Sequence, residues 1–314
     1  MPQIEANGIA LEYEEFGDAS AAPLLLVMGL GAQLTLWPIE LVEALVERGF
    51  RVIRYDNRDI GLSHKFEGAR APGMVRQILM KRVGLNPRVP YTLAHMAADG
   101  VGLLDALGID KAHVVGASMG GMIAQHIAFS HPEKLLSLTS IMSTTGNPRL
   151  PAAQKEALGV LTQRPQSLAE TVLIEHGVKI GRTIGSPGYP ADEARLRANA
   201  ARDIRRSLYP AGLPRQLAAI IADGDRRARL AGVRAPTLVI HGEADPLVPV
   251  EGGRDTAAHV PGAALKTIPG MGHDLPLALV DEIADAIADH AHGAAARSAE
   301  GPAQRERVSS AGSR

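Results

Sequence analysis

A repeated alternation of short apolar runs with helical segments is the feature that most restricts how this chain can fold. Residues 24–28 form the first continuous apolar run, as expected of a strand buried on both faces of a sheet. Between most of these runs, apolar residues recur at helical spacing, as in residues 36–48 and 93–107. Strands that alternate with helices predict a mostly parallel sheet covered by helices on both faces, which is an α/β fold. The other apolar runs lie at residues 51–55, 112–116, 135–141, 236–241 and 264–269.

The domain organisation follows from the places where this alternation fails. Residues 146–228 hold helical segments punctuated by Pro and Gly, without a convincing strand. We expect them to form a helical cap inserted into one α/β core, whose two parts are residues 1–145 and 229–292. Residues 293–314 are rich in Ala, Ser, Gly and Arg and lack apolar periodicity, which predicts a disordered tail. Residues 64–91 are basic and loop-like, and we expect a solvated surface insertion there rather than a lid.

A β-hairpin is predicted at the start of the chain. The dipeptide Asn7-Gly8 separates residues 2–6 from residues 9–16. A tight hairpin turn needs positive φ at both central positions, which Asn and Gly tolerate.

Composition narrows the classes of partner. Lys and Arg number 33 against 34 Asp and Glu, so the net charge of -1 gives no long-range field that favours nucleic acid or an anionic membrane. The sequence contains no Cys, which excludes disulfides, thiolate metal sites and a cysteine nucleophile. The first residues lack a basic start followed by an apolar core, and no stretch approaches the roughly 20 apolar residues of a membrane span. We therefore expect a cytoplasmic protein with a small-molecule partner, no nucleic acid and no membrane span, and the oligomeric state stays open.

A serine lies in a G-x-S-x-G motif at the end of the strand predicted at residues 112–116. The motif spans residues 116–120 and precedes a helical stretch at residues 122–130. Between a strand and a helix, this motif forms a sharp turn that raises the serine oxygen above the sheet. The structural alternative is a helix-capping serine in an ordinary glycine-rich turn. The position after a buried strand favours Ser118 as a nucleophile.

Two further side chains would complete a serine hydrolase site. Asp245 follows the strand predicted at residues 236–241, and His273 follows the last predicted strand. Both lie just past the carboxyl ends of strands, the edge of a parallel sheet where ligands bind. The order serine, acid, histidine also matches the order used with this motif. The sequence thus predicts Ser118 as nucleophile, His273 as general base and Asp245 as the residue that orients the histidine. The neighbouring Asp274 lies on the wrong side of the histidine backbone for that role, and we expect it to be solvated.

These motifs resemble the α/β-hydrolase superfamily in residues 116–121, 236–249 and 270–273, and the resemblance extends over residues 9–290, least clearly in the predicted cap. Within the superfamily, LLLVMG and VIRYDNRDIGLS, at residues 24–29 and 52–63, are similar to the group that includes the aclacinomycin methylesterases. The resemblance implies an α/β-hydrolase fold with an inserted helical cap. It also implies an oxyanion hole formed by the backbone N–H groups of Leu30 and Met119. The family usually has His-Gly where this chain has Met28-Gly29, and that histidine is not part of the triad.

The predicted function is serine-dependent hydrolysis of carboxylic esters through an acyl-enzyme, without a cofactor or a metal ion. The same triad also permits hydrolysis of lactones or C–C bonds and perhydrolysis. Outside the enzymes, the alternative is a ligand receptor on the hydrolase scaffold. No metal site is predicted, because four histidines have no recognisable ligand spacing: His241, His259, His290 and His292.

Arginines are concentrated in one part of the predicted cap. They could contact an anionic substrate, although a solvated helix face is the more common use of such a cluster. These residues are Arg195, Arg197, Arg202, Arg205 and Arg206.

Overall fold

The computed structural model of the chain describes residues 2–163 and 165–299 and is built on one eight-stranded sheet. Its strands are β1 (Gln3–Ala6), β2 (Ile9–Phe16), β3 (Ala22–Val27), β4 (Phe50–Tyr55), β5 (Ala112–Ala117), β6 (Leu135–Ile141), β7 (Thr237–Gly242) and β8 (Ala264–Ile268). Their order across the sheet is β1-β2-β4-β3-β5-β6-β7-β8. The pairings β1·β2 and β2·β4 are antiparallel, and the pairings from β4 to β8 are parallel. The predicted mostly parallel sheet is confirmed.

The predicted hairpin at the start of the chain is also confirmed. β1 pairs with β2 in antiparallel register, with Ala6 opposite Ile9. Asn7 and Gly8 form the turn with φ of 51° and 75°. The left-handed backbone of both residues explains why this dipeptide lies between the strands.

Helices cover both faces of the sheet. α1 and α11 lie on one face, whereas α3 and α4 lie on the other. Within the described residues, no helix is both long and apolar enough to cross a lipid bilayer. The helices are α1 (Ile39–Glu47), α2 (Met74–Arg82), α3 (Leu93–Ala106), α4 (Met119–Ser130), α5 (Lys155–Thr162), α6 (Glu170–Ile184), α7 (Glu193–Arg206), α8 (Gly212–Asp223), α9 (Arg227–Leu230), α10 (Glu251–His259) and α11 (Val280–Ala299).

The central strand β3 shows why its sequence is apolar without interruption. Leu24 and Leu26 point to the side of α1 and α11, and Leu25 and Val27 point to the side of α3 and α4. All four side chains are fully buried. Because both faces of the sheet are covered, no position along β3 is left for a polar side chain.

The segment expected to form a cap lies between β6 and β7. Its described residues carry α5 to α8 and the start of α9. α6 packs against α7, and α8 packs against α2 and α3. We call residues 146–228 the cap segment below.

Two expectations about the rest of the chain need correction. The basic insertion at residues 64–91 is not wholly loop-like, because it contains the nine-residue helix α2. The predicted disordered tail starts too early, since α11 continues to Ala299 and buries Ala294. Residues 300–314 of that predicted tail lie outside the described residues.

Candidate active site

The turn between β5 and α4 holds Ser118 in an unusual backbone conformation. Its φ is 56° and its ψ is -119°, a region that side-chain-bearing residues rarely adopt and that stores strain. The turn can close because position 120 is glycine: a Cβ atom at Gly120 would clash with the carbonyl oxygen of Val27. The N–H of Ser118 donates to the carbonyl of Ile141 on the neighbouring strand at 2.9 Å. The fold therefore fixes the serine at the carboxyl edge of the sheet.

The structure brings the three predicted catalytic side chains together. His273 Nε2 lies 3.0 Å from Ser118 Oγ, and His273 Nδ1 lies 2.7 Å from Asp245 Oδ2. Because a carboxylate only accepts hydrogen bonds, Nδ1 donates to it and Nε2 is left to accept from the serine hydroxyl. The other carboxylate oxygen, Oδ1, accepts from the N–H groups of Leu247 and Val248, both at 2.8 Å. This arrangement can move a proton from the serine to the histidine.

The environment of Asp245 keeps it ionised. Burial alone would raise its pKa, but the charge of His273 and the hydrogen bonds from His273 and Val248 outweigh burial and hold the pKa at about 2. His241 Nε2 lies 3.6 Å from Asp245 Oδ2 and donates to the carbonyl of Val248 at 2.8 Å. Sequence analysis assigned His241 no role, since it has no recognisable metal-ligand spacing. Its real neighbour, Asp245, is four residues further on across a tight turn.

The two expected oxyanion donors lie beside the nucleophile. Met119 is the first residue of α4, so its N–H has no partner inside the helix. Gly29 abuts the serine, since a Cβ atom there would lie 3.1 Å from Ser118 Cβ, and Leu30 follows it directly. Among the hydrogen bonds of residues 2–163 and 165–299, none is donated by the N–H of Leu30 or Met119. Both N–H groups therefore lack a protein acceptor in that part of the chain.

A buried residue of the cap segment supports the loop that contains Leu30. Gln216, on α8, is fully buried. Its Oε1 accepts from the N–H of Gly31 at 2.8 Å, and its Nε2 donates to the carbonyl of Arg58 at 2.8 Å. Sequence reasoning missed this residue, because a glutamine in a helical segment has no pattern that distinguishes it.

A second part of the cap segment supports the loop that carries the histidine. The N–H of His273 donates to the carbonyl of Ile184, at the end of α6, at 2.7 Å. The hydroxyl of Ser186 accepts from the N–H of Gly272 at 2.7 Å and donates to the carboxylate of Asp274. The expectation that Asp274 is solvated is therefore wrong: it is half-buried, and burial raises its pKa. Its carboxylate helps to fix the histidine loop to the cap segment.

The arginines of the predicted cap are paired with other protein groups. Arg195 makes two hydrogen bonds of 2.8 Å to Glu40 of α1, and Arg206 contacts the buried Asp56 at 2.6 Å. Both pairs join α7 to the core. The remaining pairs are Arg197 with Glu175 and Glu193, Arg202 with Asp203, and Arg205 with Glu170.

Two other histidines without ligand spacing, His290 and His292, have structural contacts. His290 Nε2 donates to the carbonyl of Pro236 at 3.2 Å, and the ring of His292 stacks on Phe50 with centroids 5.0 Å apart. In the part of the chain that the structure describes, no group of three or more His, Cys, Asp or Glu side chains is arranged to hold a metal ion.

Comparison with known sequences identifies relatives along almost the whole chain. A family described as the alpha/beta hydrolase fold matches residues 22–277. Rhodomycin D methylesterases of Streptomyces peucetius and of Streptomyces sp. strain C5 are 33% and 32% identical to the chain. Each alignment covers 93% of this chain and 98% of the relative.

Comparison with solved structures gives the same architecture. A mutant of the meta-cleavage product hydrolase from Pseudomonas fluorescens IP01 has a TM-score of 0.73 at 20% identity, over 94% of this chain and 98% of its own. The enol-lactonase from Burkholderia xenovorans LB400 has a TM-score of 0.67 at 25% identity, over 92% of this chain and 99% of its own. At 20% identity, the first likeness shows the fold alone. Together with the family match and the methylesterase relatives, these results establish that the chain belongs to the α/β-hydrolase family.

Proposed function

We propose that this carboxylic-ester hydrolase works through an acyl-enzyme, with Ser118 as nucleophile, His273 as general base and Asp245 as the residue that orients the histidine. The observation that carries the proposal is the continuous hydrogen-bonded chain from Ser118 Oγ through both ring nitrogens to Asp245, with distances of 3.0 and 2.7 Å. The strained serine turn at the carboxyl edge of the sheet supports it, as do the methylesterase relatives.

Acylation begins when the Ser118 oxygen attacks the acyl carbon and His273 Nε2 takes the hydroxyl proton. The ionised Asp245 stabilises the imidazolium that results. The carbonyl oxygen becomes an oxyanion and accepts from the backbone N–H groups of Leu30 and Met119, each worth ~3 kcal/mol by analogy with deletion of other oxyanion-hole donors. The imidazolium then protonates the alcohol oxygen as the C–O bond breaks. The acyl group stays on Ser118 as an ester.

Deacylation repeats these steps with water in place of the serine. His273 takes a proton from a water molecule as the water oxygen attacks the acyl carbon of the acyl-enzyme. His273 then returns the proton to Ser118 Oγ as the bond between Oγ and the acyl carbon breaks. The carboxylic acid is released. Every proton is exchanged between substrate, water and these side chains, so the cycle needs no cofactor.

The relatives favour a methyl ester as the substrate. Two proteins that match 93% of this chain are named as methylesterases of rhodomycin D. We therefore extend the proposal to a methyl ester of a small molecule, which releases methanol in the acylation step. The acid part of the substrate would lie under the cap segment, which borders both catalytic loops.

Kinetics on a substrate panel test the proposal. The panel contains methyl esters and p-nitrophenyl esters of increasing acyl length. We expect Ser118→Ala and His273→Ala to lower kcat by roughly 10⁴ to 10⁶, with circular dichroism unchanged. A fluorophosphonate should label the native chain and leave Ser118→Ala unlabelled. Turnover like that of the native chain in either variant would refute the assignment.

The same panel separates the alternatives that share this site. Lactones are included because an enol-lactonase aligns with the chain at 25% identity, and substrates with an activated C–C bond cover the other hydrolytic reaction. Perhydrolysis is tested by adding hydrogen peroxide and a carboxylic acid. A folded chain that neither turns over any substrate nor reacts with the fluorophosphonate would instead be a receptor.

A further inference from the structure

Helix α2 presents its apolar side to solvent rather than to the protein. Val75, Leu79 and Val83 are spaced four residues apart and therefore share one side of the helix. They are 68%, 56% and 71% exposed. The side chain that α2 buries is Gln77, which is 2% exposed. A surface helix ordinarily buries its apolar side, so the orientation of α2 is the reverse of the usual one.

Neighbouring side chains extend this exposed apolar surface. Met74 and Ile78 lie next to Val75 and Leu79 on α2, and Leu85 follows the end of the helix with 56% of its surface exposed. Contiguous exposed apolar surface of this kind marks an interaction site. We call this surface the α2 face, and it consists of Met74, Val75, Ile78, Leu79, Val83 and Leu85.

Uncompensated positive charge is concentrated in the segment that carries the α2 face. Residues 68–91 contain five basic and no acidic residues, in a chain whose net charge is -1. Four of them, Arg70, Arg76, Arg82 and Arg88, make no ion pair or side-chain hydrogen bond with the residues that the structure describes. The arginines of α7, by contrast, are all paired with acids. Residues 68–91 are therefore strongly basic, although the net charge of the whole chain is near zero.

The combination of the apolar α2 face with unpaired arginines indicates which kind of partner would bind there. A second copy of the chain fits poorly, because a two-fold interface brings the same patch of both subunits together and would oppose two basic surfaces. Anionic lipid fits both properties, since its headgroups attract arginine and its acyl region accepts apolar side chains. We propose that the α2 face docks reversibly on a membrane surface that contains anionic lipid.

Vesicle sedimentation tests the proposal with the full-length chain. The chain should sediment with vesicles of phosphatidylcholine that contain about one third phosphatidylglycerol, and much less with phosphatidylcholine alone. At about 1 M salt, where the screening length falls to roughly 3 Å, the preference for anionic vesicles should disappear. Each surface arginine adds about 1 kcal/mol of lipid attraction, so the double variant Arg76→Gln, Arg82→Gln should bind about thirtyfold more weakly. Leu79→Ser should also weaken binding, because it removes an apolar contact.

Matched controls separate a specific face from general effects on the surface. Arg205→Gln removes an exposed arginine of α7, and Leu168→Ser removes an apolar side chain that is 66% exposed outside the α2 face. Both should bind vesicles like the native chain. Hydrolysis of a soluble p-nitrophenyl ester should be unchanged in all these variants, which verifies that they fold.

Several results would overturn the proposal. One is sedimentation that is independent of anionic lipid, and another is equal weakening by the α2 variants and their controls. A third is absence of vesicle binding together with a dimer in sedimentation velocity that Leu79→Ser converts to a monomer. That result would make the α2 face a contact between copies of the chain.

Discussion

Replacing Gln216 by leucine should slow catalysis without touching any side chain of the proposed triad. The variant removes the acceptor for the N–H of Gly31 and the donor to the carbonyl of Arg58, both now at 2.8 Å. A buried polar group without a partner costs about 1 to 3 kcal/mol. The N–H of Gly31 is only partly buried, so its cost lies at the lower end. We therefore expect the free energy of unfolding to fall by about 2 to 4 kcal/mol. The loop containing Leu30 would lose its support.

The effect on the rate follows from the position of Leu30. If the shifted loop no longer presents the Leu30 N–H to the oxyanion, kcat should fall by up to about 10²- to 10³-fold, the usual cost of one such donor. KM should change little, because the donor is needed most in the transition state. Steady-state hydrolysis of a p-nitrophenyl ester gives both constants, and urea denaturation gives the stability.

Two further variants separate position from stability. Gln216→Glu keeps an oxygen that accepts from Gly31, so it should retain most of kcat. Gln125→Leu removes another fully buried glutamine, which bonds to Arg226 and Thr144 away from the oxyanion loop, and should lower stability but not kcat. Native kcat in Gln216→Leu, or equal loss of kcat in Gln216→Leu and Gln125→Leu, would refute the reasoning.

Two other predictions concern the histidine loop and acid stability. Ser186→Ala removes the hydroxyl that bonds to Gly272 and Asp274, and we expect kcat to fall about tenfold, since small misplacements of a catalytic group are costly. Ser186→Thr keeps a hydroxyl and should retain most of kcat. Equal kcat in Ser186→Ala and Ser186→Thr would contradict a positioning role for this hydroxyl. Burial lowers the pKa of His113, which bonds to Ser137, to about 4. The unfolded chain binds that proton near pH 6.5, so the free energy of unfolding should fall by up to about 3 kcal/mol between about pH 6.5 and pH 4, and His113→Gln should flatten this part of the urea-denaturation profile. An unchanged slope in that variant would assign the pH dependence to other groups.

The core of the fold could be predicted because its signals are local. A strand buried on both faces must be apolar at every position, and β6 has the bounds that its sequence predicts. The hairpin turn follows from two residues that tolerate positive φ. That Ser118, Asp245 and His273 lie close together could be predicted for a similar reason, since each follows a recognisable strand. The carboxyl edge of the sheet then brings them within hydrogen-bonding distance.

The errors arose where the deciding contacts are not local or not periodic. The end of α11 lacks an apolar period because it is built from alanine, which has the strongest intrinsic helix propensity and is small enough to be buried, as Ala294 is. α2 was missed because its apolar residues lie in a basic, loop-like segment, and the exposure of these residues could not be read from their spacing. Gln216 and Ser186 contact loops 185 and 86 residues away in the chain, and no short pattern encodes such pairings.

The hydrogen bonds from the cap segment to the loops of Leu30 and His273 restrict how this hydrolase can be re-engineered. One loop depends on Gln216 of α8, and the other depends on Ile184 at the end of α6 and on Ser186 just after it. Exchanging the whole cap segment for that of a relative would therefore remove supports of the proposed reaction centre. A transplant that leaves α8, the end of α6 and the turn after it in place would exchange other parts of the cap segment and keep these hydrogen bonds.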